Sequence, residues 1–170
     1  MIQFTVSKSS DAVERLNEAL EKGVTWIILP PDADDDLVDN AEKLCREQGV
    51  ILTVTDNLEL LERKRFHGIL LSRSLDAIPQ IRESLGGHPI IGVVLKPGDD
   101  FLRLKGWDID YIALENEVET NPEISRYISE IKGNWNIPVV AVCDVGSAED
   151  IDKLTEAGFD GVNTGDAKIK

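Results

Sequence analysis

Few residues in this 170-residue chain have both a type and a setting suited to chemistry. Asp56 and Asn57 follow the apolar run VILTVT. A carboxylate in that place can hold a magnesium ion, a hard cation that takes oxygen ligands and bridges to substrate phosphates. Lys96 closes the run PIIGVVLK, where it can clamp a phosphate or, if desolvated, form an imine. Glu115 ends DYIALE and Asp144 follows IPVVAVC, so the two can belong to an acidic ring. Gly146 and Ser147 open a helix, where free backbone amides can hold a phosphate. The candidates are therefore Lys96 and Glu115 as catalytic groups, Asp56 and Asp144 as metal ligands, and Asn57, Gly146 and Ser147 as phosphate contacts. Each also has a plainer reading. Asp56 can simply cap the next helix, Lys96 can end its strand in solvent, and Glu115 and Asp144 can be solvated loop carboxylates.

These residues need a scaffold that brings distant parts of the chain together, and the periodicity supplies one. IPVVAVCDVGSAEDIDKLTEAGFDGV reads as strand, helix and strand: Ile137 to Val142, a helix starting at Ser147 with Asp150 three positions on, a stop at Gly158, and a strand near Phe159 to Asn163. Its strands are continuous apolar runs without alternation, as expected where both faces of a parallel sheet are covered. The unit recurs upstream. Strands are predicted at Ile2 to Ser7, Val24 to Pro31, Val50 to Thr55, Gly68 to Ser72, Pro89 to Lys96 and Asp110 to Glu115. Helices are predicted at Asp11 to Gly23, Asp35 to Gln48, Asn57 to about Arg65, Leu75 to Leu85, Asp99 to Leu104 and Pro122 to Lys132. Eight strands with a helix after each of the first seven point to a (β/α)8 TIM barrel spanning residues 1–170 as a single domain. An open doubly wound sheet is the alternative. The barrel is minimal, and only GDAKIK follows the last strand, so the expectation is that the eighth helix is missing or that the chain is cut short. An uncovered flank there exposes apolar surface and favours a homo-oligomer or another partner.

In such a barrel the active site lies at the C-terminal ends of the strands. The strand-end set is Ser7, Lys8, Pro30, Asp56, Asn57, Ser72, Arg73, Lys96, Glu115, Asp144, Thr164 and Asp166. Carboxylates mixed with a few cations suit metal-assisted handling of an anion better than nucleophile-triad chemistry. His67 and His88 precede strands and fall on the opposite, structural face. The acidic run Asp32 to Asp36 lacks the glycine and distal glutamate of a calcium loop and reads as a helix start.

Composition narrows the partners. Thirty-two acidic against 18 basic residues give a net charge of −14, a field that repels nucleic acid and anionic membrane. No segment approaches the roughly 20 apolar residues of a membrane span, and no signal peptide is evident, which makes a cytoplasmic protein the expectation. Cys45 and Cys143 lack metal spacing and read as two buried thiols.

Three stretches resemble the thiamine phosphate synthase and thiazole tautomerase family. GVILTVTDNLELL places Asp56 on the family's metal-binding aspartate. HGILLSRSLDAIPQIRESLGGHPIIGVV matches its fourth strand, helix and fifth strand in spacing, and DYIALE with IPVVAVCDVGSAEDIDKLTEAGFDGV matches the closing half. The resemblance covers about Ala12 to Val162. It implies a transferase that joins a hydroxymethylpyrimidine diphosphate to a thiazole phosphate with Mg2+. Other family positions are replaced. LPPDAD stands for the Gln-x-Arg-x-Lys segment, SRSLD for Gly-Gln-x-Asp, VLK for Ser-x-His, NEVETN for the lysine-containing loop, and CDVG for Gly-Gly-Ile. Three expectations follow: a divergent transferase, a barrel that has lost its chemistry and works as a binding or interaction protein, or an aldolase-type enzyme that handles a phosphorylated small molecule through Lys96.

Overall fold

The computed structural model describes residues 1–63, 66–117 and 119–165. Eight strands form a closed barrel in chain order, every neighbouring pair parallel, with β1 hydrogen-bonded to β8. The strands are β1 (Ile2–Thr5), β2 (Trp26–Leu29), β3 (Ile51–Thr55), β4 (Gly68–Leu71), β5 (Ile90–Leu95), β6 (Tyr111–Glu115), β7 (Val139–Val142) and β8 (Gly161–Thr164). Among the described residues six α-helices cover them: α1 (Ala12–Glu21), α2 (Asp35–Gln48), α3 (Leu58–Arg63), α4 (Ile78–Leu85), α5 (Pro122–Asn134) and α6 (Ala148–Glu156). The predicted barrel is therefore the observed one, and the open sheet is not.

Two expectations are corrected. The helix predicted at Asp99 to Leu104 is a single 3-10 turn, Phe101–Leu104. Pro97 and Gly98 at its start and Gly106 at φ 91° after it leave no room for i→i+4 bonding. The second concerns the flank beside β8. No helix follows β8 among the described residues, yet of the outward side chains of this flank Phe4, Val162 and Thr164 are buried and Ile2 is partly buried. Among the described residues the large exposed apolar side chains are Met1, which lies beside β8, and Leu102, so no broad apolar face is exposed there.

Alternation along each strand separates two cores. Outward residues such as Ile27, Leu52, Ile69, Ile91, Ile112 and Val139 pack against the helices, where Leu16, Val38, Ile78, Ile128 and Leu154 meet them. Inward residues Trp26, Ile28, Leu70, Tyr111, Ala113 and Val140 fill the lumen. Trp26 and Tyr111 meet edge to face, with centroids 5.2 Å apart, and the indole N–H donates to Thr53 Oγ1 at 2.9 Å. Two large rings fit at the bottom because β5 contributes Gly92 at the same level; a β-carbon there would collide with the Tyr111 ring.

At the N-terminal face a side-chain clamp recurs on alternate strand pairs. The residue just before β4, β6 and β8 is His67, Asp110 and Asp160. Each donates its backbone N–H to a carbonyl of the preceding strand, of Leu52, Ile91 and Val139 respectively, at 2.8 Å. Each then accepts that same residue's N–H on its side chain: Leu52 N–H to His67 Nδ1 at 3.0 Å, Ile91 N–H to Asp110 Oδ2 at 2.7 Å, Val139 N–H to Asp160 Oδ2 at 2.8 Å. The side chain thus finishes a ladder that would otherwise leave a buried donor open. Cations from the helices back the two aspartates: Arg82 of α4 on Asp110 and Lys132 of α5 on Asp160, both at 2.8 Å. The structural role expected of His67 is the one observed.

Candidate functional site

The other face of the barrel holds the strand exits. β5 and β6 lie side by side, and Lys96, the residue after β5, and Glu115, the last of β6, stand 3.8 Å apart, Nζ to Oε2. They line a groove of about 960 Å³ whose wall continues through Glu117, Glu119, Asn121 and Glu123 to Tyr127 and Val142. The α5 start forms one side because Asn121 caps that helix, accepting the Ile124 N–H at 3.0 Å, with Pro122 as its first residue. Tyr127 O–H donates to the Asp99 carbonyl at 2.7 Å, and burial followed by the Asp99 charge pushes the phenol up to about 12. The Lys96 side chain is 71% exposed, so its ammonium is solvated. One lysine against four glutamates makes the groove acidic.

Asp56 and Asn57 do something different from what their types suggested. Asp56 sits at φ 44°, in the left-handed region that aspartate tolerates better than most residues. That turn aims the carboxylate at the exit of β4. Oδ1 accepts the N–H of Ser72 at 2.8 Å and of Arg73 at 3.3 Å, and Oδ2 accepts the Ser72 hydroxyl. The helix cap expected of Asp56 belongs instead to Asn57, whose Oδ1 accepts the Leu60 N–H at 2.9 Å. The Asn57 amide donates to the Pro31 carbonyl at 2.7 Å.

The start of α6 is similarly occupied. Ser147 caps it, accepting the Asp150 N–H at 3.3 Å, as predicted. The Gly146 N–H donates to the Asp150 carboxylate at 3.0 Å, and that bond is the first cause holding the Asp150 carboxyl below its usual range. The donors expected to meet a phosphate thus already face a carboxylate of their own chain. Asp144 is exposed beside them. Burial first, then the charges of Asp144 and Asp150, pushes the Cys143 thiol up to about 11.

Of the other strand-end candidates, Lys8 pairs with Asp32 at 3.3 Å, both well exposed. Thr164 pairs with Phe4 and faces the helix layer rather than the mouth; the period of two puts its neighbour Asn163 in the lumen, where Asn163 Oδ1 accepts the Thr5 hydroxyl at 2.8 Å. Asp166 lies outside the described residues. Thr5, Asn163, Asn121 and Tyr127 were not expected at the mouth. The Asn-Pro helix start after NEVET is the signal that would have placed Asn121. Among the described residues no group of three or more His, Cys, Asp or Glu is placed to hold a metal ion, and both Asp56 oxygens already accept hydrogen bonds. The described side chains, as they stand, do not fit a resident magnesium site.

The family profile described as thiamine monophosphate synthase matches residues 2–167. The chain belongs to the thiamine monophosphate synthase family. It is 25% identical over 164 residues to the thiamine-phosphate synthase of Shouchella clausii, covering 89% of this chain and 78% of that protein. It is 27% identical over 161 residues to the thiamine-phosphate synthase of Bacteroides thetaiotaomicron, covering 85% and 77%. Its fold superposes on thiamine phosphate pyrophosphorylase from Pyrococcus furiosus with a TM-score of 0.78 at 20% identity, over 96% of this chain and 84% of that one. The family resemblance and the barrel read from sequence are both shown. Among the described residues no helix is long and apolar enough to cross a membrane.

Proposed function

We propose that this family member uses the groove at the exits of β5 and β6 to bind a phosphorylated small molecule, with Lys96 as the anion contact and Glu115 as the carboxylate that orients its ammonium. The observation that carries this is the Lys96–Glu115 pair on the wall of the 960 Å³ groove. A lysine at 3.8 Å from one carboxylate is not locked in a short ion pair and can swing to a phosphate oxygen. A lysine side chain that stays in water suits an electrostatic contact and not the desolvated amine that imine formation needs.

Joining a pyrimidine diphosphate to a thiazole phosphate expels pyrophosphate, and stabilising that leaving group takes several convergent cations. Among the described residues the groove offers one lysine, Lys96, against four glutamates, so in this reading the chain binds but does not catalyse the transfer at a rate comparable with its relatives' named activity. No step is assigned to a protein-bound metal.

Calorimetric titration with thiazole phosphate and with pyrophosphate, each with and without magnesium, tests binding. The expected result is saturable binding of thiazole phosphate, weakened roughly tenfold in Lys96→Ala through the loss of one charge-assisted contact. Absence of binding by either ligand overturns the assignment of the groove. Formation of thiamine phosphate from the two substrates, lost in Lys96→Ala, overturns the reading of a binding module and restores the transferase.

A further inference from the structure

Asp56 and Asn57 together touch the exits of three consecutive strands. Asn57 Nδ2 reaches the Pro31 carbonyl after β2, Asn57 Oδ1 closes the first turn of α3 after β3, and the Asp56 carboxylate takes three donors from Ser72 and Arg73 after β4. The Asp56 N–H extends the β3–β4 ladder by donating to the Leu70 carbonyl at 3.0 Å. We infer that Asp56 is a positioning residue, a carboxylate staple that fixes the Ser72–Arg73 exit of β4, and that it does not ligate a divalent cation in this chain.

Three observations converge on this. The carboxylate is satisfied by donors, whereas a cation ligand must turn its lone pairs toward the ion. No further pair of carboxylate, cysteine or histidine side chains gathers with it among the described residues. Its φ of 44° is a conformation that costs energy for a residue with a β-carbon, and the three accepted hydrogen bonds are what the surrounding structure returns for holding it. The consequence for the rim is that Arg73, exposed and without an ion pair among the described residues, projects from a backbone held at its own N–H and at that of Ser72.

The inference is independent of what the groove binds, and its test uses no substrate. Asn at position 56 keeps an acceptor where Oδ1 now takes both backbone donors, and it tolerates the left-handed turn; Gly relieves the turn but has no acceptor. Amide hydrogen exchange is followed at Ser72 and Arg73 in the full chain and in Asp56→Asn and Asp56→Gly, and Mn2+ binding is followed by electron paramagnetic resonance in all three. A staple predicts exchange at these two amides on the order of tenfold faster in Asp56→Gly and close to the parent's in Asp56→Asn, with Mn2+ behaviour the same in all three proteins. Mn2+ binding present in the parent and lost in both variants overturns it. So does unchanged exchange at Ser72 and Arg73 in Asp56→Gly.

Discussion

Asp110→Ala puts the repeated clamp at the N-terminal face to a quantitative test. Its Oδ2 accepts from the Ile91 N–H at 2.7 Å and from Arg82 Nη2 at 2.8 Å, so removal strips one acceptor from a strand amide and one counter-ion from a guanidinium whose side chain is only 13% exposed. A hydrogen bond to a charged acceptor contributes about 1.5–3 kcal/mol. Arg82 is not orphaned by the change, since it still donates to the Pro89 carbonyl at 2.6 Å and the Asp108 carbonyl at 2.9 Å and pairs with the Asp108 carboxylate at 3.2 Å. The Asp110 side chain is 45% exposed, so water can replace part of what is lost. The expected cost is therefore about 2 kcal/mol, a fall in Tm of roughly 4–8 °C for a domain of this size. Urea unfolding followed by fluorescence and by circular dichroism gives the free energy, provided the two probes coincide. Glu59→Ala is the control: Glu59 pairs with Arg63 at the same 2.8 Å, but at 76% and 61% exposure, and its loss costs no more than about 0.5 kcal/mol. Equal costs for the two substitutions would refute the argument that completing the ladder, and not charge pairing, is what Asp110 contributes.

Two further outcomes follow from the packing. Gly92→Ala places a β-carbon against the Tyr111 ring, which is 2% exposed and held edge-on by Trp26, so the ring has nowhere to withdraw; overpacking of this kind costs about 1–3 kcal/mol, and Tyr111→Leu in the same chain should recover part of it. Unchanged stability of Gly92→Ala in urea would show that the lumen has slack. Burial pushes the Cys45 thiol up to about 12 and the Cys143 thiol to about 11, so both are protonated when folded at pH values where the unfolded chain has begun to lose its protons. The folded state then binds more protons, and stability falls as pH rises from about 9 toward 11. Native thiols should react with a disulfide reagent at pH 8 far more slowly than unfolded ones, and stoichiometric labelling within the mixing time would contradict this.

The barrel was legible because its signals are local. Apolar runs without alternation, Ser147 three residues before Asp150, and Gly49 as the left-handed stop of α2 at φ 68° each specify an element without knowledge of the rest. The connection after β5 was misread because FLRL has a helical pattern, while Pro97 and Gly98 had already limited how much helix could form. The candidate site was legible in part. Strand order and the end-of-strand rule brought Lys96 and Glu115 to one groove. Thr164 was placed at the mouth although the lumen position is its neighbour Asn163, a one-residue ambiguity that reverses the side chain's direction. The hydrogen-bond partners of Asp56, Asn57 and Gly146 were out of reach for a different reason. Each depends on a backbone donor or acceptor that pattern reading does not orient.

Several of the chain's aspartates have a structural role that bears on its chemistry. Asp110 and Asp160 finish strand ladders at one face, Asp56 staples two exits at the other, Asp34 and Asp100 cap helical turns, and Asp150 closes the loop before α6. Carboxylates suit all these tasks because a backbone N–H at a strand end or helix start needs an acceptor, and a charged acceptor makes the stronger bond. An aspartate at a strand exit is for this reason weak evidence of a metal ligand in this fold: the exit is also where unpaired backbone donors collect. What separates the two roles is whether the oxygens meet donors or each other. At Asp56 they meet donors. At the β5 and β6 exits the contact is looser: Glu115 faces the Lys96 ammonium across 3.8 Å with open groove beside it. That loosely held pair, and not the carboxylate count, is why the binding function is proposed there.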